Sequence, residues 1–183
     1  MTFAALALLL LAASAQAADY PLSGEFLNLR SHAHSRQTAI RLGAIGQARQ
    51  DALPNVDPQA TGAVLEVLGD GVLSDAPAIP LPGAKWRALG DPPGSRGYRY
   101  YDSASRFGVR KVALRFGTRL SLSISGGGNE CPYRMSGVPH AVSVVLHMGD
   151  ETFCASFGTF ERGRSGTMRA ARNPAPAACR YDS

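Results

Sequence analysis

Apolar and polar residues alternate with a period of two over much of the chain. The clearest case is Val112-Ala113-Leu114-Arg115-Phe116, followed after Gly117-Thr118 by Leu120-Ser121-Leu122-Ser123-Ile124-Ser125. A helix would scatter Leu120, Leu122 and Ile124 over diverging faces, whereas a strand places all three on one side. The short Gly-Thr link predicts a hairpin. A second hairpin is expected from Ala141 to His147, a turn over 148–151, and a return strand from Thr152 to Phe157, in which Phe153, Ala155 and Phe157 share a face.

Further strands are predicted at 24–30, 37–42, 62–68, 85–89, 97–102 and 166–170. Gly69-Asp70-Gly71 and Asp91-Pro92-Pro93-Gly94-Ser95 act as turns. Between Ile45 and Gln59 the pattern weakens, and Gln47-Ala48-Arg49-Gln50-Asp51 reads as a helical turn or a loop. About ten strands with no long amphipathic helix provide no βαβ crossover, so the expected fold is all-β: an antiparallel two-sheet sandwich or flattened barrel. Asn173-Pro174-Ala175-Pro176-Ala177-Ala178 is extended by its prolines, which cannot donate to a sheet ladder. It is expected as a strap or an edge.

Composition narrows the class. With 183 residues, 45% hydrophobic and 18% charged, the chain is the length of one domain and too apolar for disorder, while 20 glycines and 12 prolines suit many turns. Residues 2–18 carry no charge, and the apolar core Phe3–Ala13 is too short to span a bilayer. Ala15-Gln16-Ala17 supplies a small-x-small cleavage signal, so residues 1–17 are expected to be a signal peptide and 18–183 a single exported domain, secreted or periplasmic. The usual basic residue before the apolar run is missing, which places the expected start slightly upstream.

Export bears on the cysteines. In an oxidising compartment Cys131, Cys154 and Cys179 become disulfide candidates, and their spacing contains no C-x-x-C for a zinc knuckle. A bond from Cys154, in an apolar strand, to Cys179, in the Pro/Ala tail, would fasten the C-terminus and leave Cys131 as the free thiol. The pairings 131–154 and 131–179 stay open at this point.

The order of features resembles a module that recurs in exported proteins of environmental Gram-negative bacteria. The resemblance rests on Thr61–Val67, Pro80-Leu81-Pro82, Trp86–Tyr100, Phe153–Gly158 and Ala175–Cys179. It covers nearly all of the chain after Ala17. It implies a secreted β-unit, sometimes joined to other domains, and carries no activity or ligand; such modules often hold further paired cysteines near the middle strands, where this chain has Cys131 alone.

The chemistry-bearing motifs are sparse. No G-x-S-x-G elbow is present: Gly163-Arg164-Ser165-Gly166 lacks the second spacing and Ser125-Gly126-Gly127-Gly128 has no helix after it. Neither a G-x-G-x-x-G fingerprint nor a Walker lysine occurs, and nothing local marks Cys131 as an activated nucleophile. His32 and His34 stand two apart, so on a strand both imidazoles share a face and supply two candidate metal ligands; no third ligand is evident, though His140 and His147 could contribute. The competing reading of Ser31–Arg36 is a solvated hairpin loop.

Trp86, Tyr98, Tyr100 and Tyr101 form the other candidate, with Tyr98 and Tyr100 sharing a strand face and Tyr101 taking the other. Exposed, with Arg87, Arg96 and Arg99 between them, they would make a platform for stacking sugars or gripping an anionic glycan. The competing reading puts Trp86 and two tyrosines in the core with their polar tips wet. Basic residues number 19 against 14 acidic ones, for a net charge of +5, and all are arginine except Lys85 and Lys111. Outside the cytoplasm nucleic acid is not an expected partner, whereas an acidic envelope or matrix polymer is. The sequence therefore points to a non-enzymatic, cofactor-free accessory or structural binding module. A glycan or anionic-polymer binder using Trp86, Arg87, Tyr98, Arg99 and Tyr100 is the second reading, and a small metal-dependent enzyme around His32 and His34 the third.

Overall fold

Alternating sequences bury one face only when two such sheets meet, and the chain solves this with two open sheets around one core. The computed structural model describes residues 18–31, 38–47, 56–69, 78–104, 108–117, 119–128, 138–162 and 167–179. The apolar leader 1–17, His32, His34 and Cys131 lie outside the described residues.

The first sheet has five strands: β1 (Ala18–Pro21), β4 (Ala63–Gly69), β5 (Ile79–Leu81), β10 (Ala141–Met148) and β11 (Glu151–Gly158), in the order β1-β11-β10-β4-β5. The second has eight: β2 (Ser23–Ser31), β3 (Thr38–Gln47), β6 (Trp86–Leu89), β7 (Gly97–Tyr101), β8 (Val109–Arg115), β9 (Arg119–Gly128), β12 (Glu161–Arg162) and β13 (Thr167–Ala170), in the order β12-β13-β2-β3-β9-β8-β7-β6. All pairings are antiparallel except β1 on β11. Neither sheet closes on itself, so the expected sandwich is formed and the barrel alternative is not.

Both predicted hairpins form. Leu114 stands opposite Leu122 and Val112 opposite Ile124 across β8 and β9, all at most 2% exposed. β10 and β11 are joined by the two residues Gly149-Asp150, where Gly149 takes φ 56, a left-handed conformation glycine adopts without strain. Gly24 on β2 permits a close approach of the sheets, because a Cβ there would collide with the ring of Phe157 on β11. The indole of Trp86, on the edge strand β6, donates to the carbonyl of Leu81 on β5 at 3.1 Å and ties the two edges together.

The uncertain region 45–59 divides. β3 runs on to Gln47, past the predicted end at 42; the rest of the turn or loop read at Gln47–Asp51 lies outside the described residues, and a short helix α1 (Pro58–Thr61) follows, with Asp57 accepting from the Gln59 amide. Pro58 begins the helix where its missing N–H costs nothing. Gln59 then accepts from the amide of Ala88 at 3.1 Å, covering part of the open edge of β6.

The tail is a strap. Asn173 bridges Gly24 through its amide at 2.9 Å, and Cys179 is bonded to Cys154. That bond consumes both partners and excludes the pairings with Cys131. Cys154 and its register partner Val145 point away from the core between the sheets, yet are 0% and 2% exposed.

Candidate functional site

Strand parity decides which candidate residues face solvent. On β7, Tyr98 and Tyr100 point inward and Arg99 and Tyr101 outward; on β6, Trp86 points inward and Arg87 outward. Trp86, Tyr100 and Tyr98 are 0%, 1% and 8% exposed, respectively, and belong to the core. Trp86 meets Tyr100 at 5.4 Å between ring centroids, and Tyr98 meets Phe116 edge-on at 6.2 Å. Burial, and then the charge of Asp102, pushes the Tyr100 phenol up to about 12; burial, and then Asp57, raises that of Tyr98. The stacking platform of Trp86, Tyr98 and Tyr100 is therefore not formed, because their shared face is the one that packs against the other sheet. A signal for this was present: the alternate positions are Arg87 and Arg99, and a guanidinium is rarely buried unpaired.

The cations take the opposite face. Arg87 and Arg99 stand directly opposite each other on the outer side of the large sheet. Arg99 is in register with Ala113, so Lys111 and Arg115 occupy its two diagonal positions on β8, within about 7–8 Å. All four are exposed. Next to them β9 presents Ser121, Ser123 and Ser125, in register with Arg115, Ala113 and Lys111. Beyond Ser125 the same row continues through Arg41 on β3 and Asn28 on β2 to Arg169 on β13.

Neighbouring rings hold some of these cations in place. Lys111 lies 5.7 Å from the ring centre of Tyr101, and Arg41 lies 6.0 Å from that of Phe26. Arg87 donates to the carbonyls of Trp86 and Ala84 at 2.8 and 3.2 Å. Among the described residues of β6, β7, β8 and β9, no carboxylate stands on this outer side. Like charges directly opposed across a sheet destabilise it. Here they accumulate with no carboxylate beside them among the described residues of these strands.

At the far end of the sheet, a depression of about 540 Å³ is lined by residues that include Glu25, Glu161, Arg169 and Arg172. Its charges are of both signs. Asn173, with its amide oriented to suit both neighbours, accepts from Gly158 and donates to Ala171 at 3.1 and 3.0 Å.

His32 and His34, the metal candidates, lie outside the described residues; among the described residues no three His, Cys, Asp or Glu side chains gather around one point. His147 points outward from the small sheet, 3.2 Å from the Thr152 hydroxyl and 3.7 Å from Glu66. His140 immediately precedes the same strand, seven positions before His147, about 23 Å of extended chain. No helix of the described residues is long and apolar enough to cross a membrane. The Cys154–Cys179 bond suits an oxidising compartment. Comparison with protein-family models, with curated proteins and with solved structures finds no match to this chain.

Proposed function

We propose that the protein is an exported, non-enzymatic binding module whose large-sheet outer face holds an acidic polymer of the cell envelope or its surroundings. The observation that carries this reading is the set Arg87, Arg99, Lys111 and Arg115, a directly opposed arginine pair with two further cations diagonal to it and no carboxylate on that side of the strands. Anionic groups seated between the guanidinium heads would relieve the repulsion that the bare sheet carries, and Arg presents the planar donor fork that suits carboxylate or sulfate. The serine row on β9 adds hydroxyl donors at strand spacing. Binding in this mode is electrostatic, spread along the face, and indifferent to sugar stacking.

Retention on dextran sulfate, with neutral dextran as control, tests the proposal. The triple variant Arg41→Ser, Arg99→Ser, Lys111→Ser alters only outward positions and should lose at least tenfold in affinity. Its log-affinity against log-salt slope should shrink by about one for each contact removed. Equal binding to neutral dextran, or an unchanged salt slope in the variant, would show that this face is not the site.

A further inference from the structure

Glu151 opens β11 on its core-facing side, in phase with Phe153, Ala155 and Phe157. It is 9% exposed, and its Oε2 has no hydrogen-bond partner. A buried carboxylate oxygen without a donor is strongly disfavoured unless a cation neutralises it. The neighbouring strands supply none: Glu151 is in register with Met148 on β10 and with Ala18 on β1, and neither side chain ionises. The titratable groups next along those strands, His147 and Asp19, alternate to the opposite side, in register with the outward-facing Thr152. The Lys85–Asp102 and His147–Glu66 ion pairs do not include it.

Ala18 is also the first residue after the small-x-small signal Ala15-Gln16-Ala17. A parallel pair places its backbone about 4.8 Å from that of Glu151, within reach of the carboxylate. We propose that Glu151 is the docking site for the α-ammonium that a peptidase of the class cutting after small-x-small sequences creates at Ala18. Water is added across the Ala17–Ala18 amide; Ala17 departs with a new carboxylate, and the Ala18 nitrogen keeps its bond to Cα and takes up protons to become the ammonium. Before cleavage that nitrogen is an uncharged amide, and among the described residues of the neighbouring strands no cation faces Glu151; β1 is already paired with β11, and cleavage adds the charge at its first residue. The leader's removal thus supplies Glu151 with its counter-ion.

The full-length precursor is exported from a Gram-negative host, the product's N-terminus is read by intact mass, and its α-amine is titrated by NMR after ¹³C reductive methylation. Ala18 as first residue is expected, with an amine that titrates at least one unit above the ordinary range of about 7.7–8.0, a tenfold stabilisation of the ammonium. Glu151→Gln should return it to that range. Urea-unfolded wild type provides the same reference if the variant does not fold. A mature terminus other than Ala18, an amine of ordinary pKa in the folded wild type, or the same raised value in Glu151→Gln or in urea overturns the proposal. None of these outcomes bears on the basic face, whose binding is read separately.

Discussion

Cutting the crosslink between β11 and the tail gives the most direct measure of what fastens this fold. Cys154 and Cys179 are 25 residues apart. Closing a loop of that length removes chain entropy from the unfolded state equivalent to about 3.5 kcal/mol at 25 °C. Cys179→Ala therefore should lower the free energy of unfolding by about that amount, or by about 7–14 °C in melting temperature for a domain of this size. Cys154, buried and bonded to the strap, gains solvent in the same step, so the cost should not fall much below the loop term. Urea unfolding followed by tryptophan fluorescence is a suitable assay, because Trp86 is wholly buried and is the chain's single tryptophan. Adding Cys154→Ala to the first variant should cost little more, as the bond is already gone, and Cys131→Ala should leave the midpoint where it was. A Cys179→Ala midpoint within about 0.5 kcal/mol of wild type, the range of ordinary surface changes, would refute the reasoning. So would a Cys131→Ala loss of matching size.

Two further outcomes are expected. Tyr100 has its phenol raised to about 12 by burial, with Asp102 adding to it, so the folded protein holds that proton where the unfolded chain releases it near the ordinary value of 10. Its contribution is intact below about pH 10 and is lost as pH rises through the folded value; ultraviolet titration at constant temperature should show Tyr100, with Tyr98 to a lesser degree, ionising after the other tyrosines, and unfolding midpoints should fall across the same window. Arg99→Thr removes one member of a directly opposed like-charge pair and places a β-branched residue on a strand, so it should stabilise the free protein by about 0.2–1 kcal/mol while weakening dextran sulfate binding. Calorimetry and retention measured on the same preparation check both halves.

The contrast between what alternation revealed and what it hid has a physical basis. β8, β9, β10 and β11 are long and half-buried, so each carries four or five alternating positions and the period is unmistakable. β1, β5 and β12 have two to four residues, two of them contain proline, and their place is set by distant partners such as Glu151 and Leu65. A period cannot show in so few positions. The extension of β3 through Gly43 and Gly46 was concealed for a different reason: glycine carries no side chain to mark a face, and here Phe26 and Leu22 occupy the space. For the aromatic set, parity correctly grouped Tyr98 with Tyr100, but a period of two is symmetric between in and out. The tie is broken by the arginines on the other face, and the cluster they form depends on which strands become neighbours.

The two ends of the described chain converge on one strand. β1 lies along β11, Cys179 is bonded to it, and the amide of Cys179 donates to the Asp19 carboxylate at 3.4 Å. Tension applied between Ala18 and Cys179 would run through the sulfur bridge and the short β1 ladder, both anchored on β11. Until β1 shears away, the load stays within the small sheet, on β1 and β11, and bypasses the large sheet, so the basic face would keep its shape on a molecule being pulled.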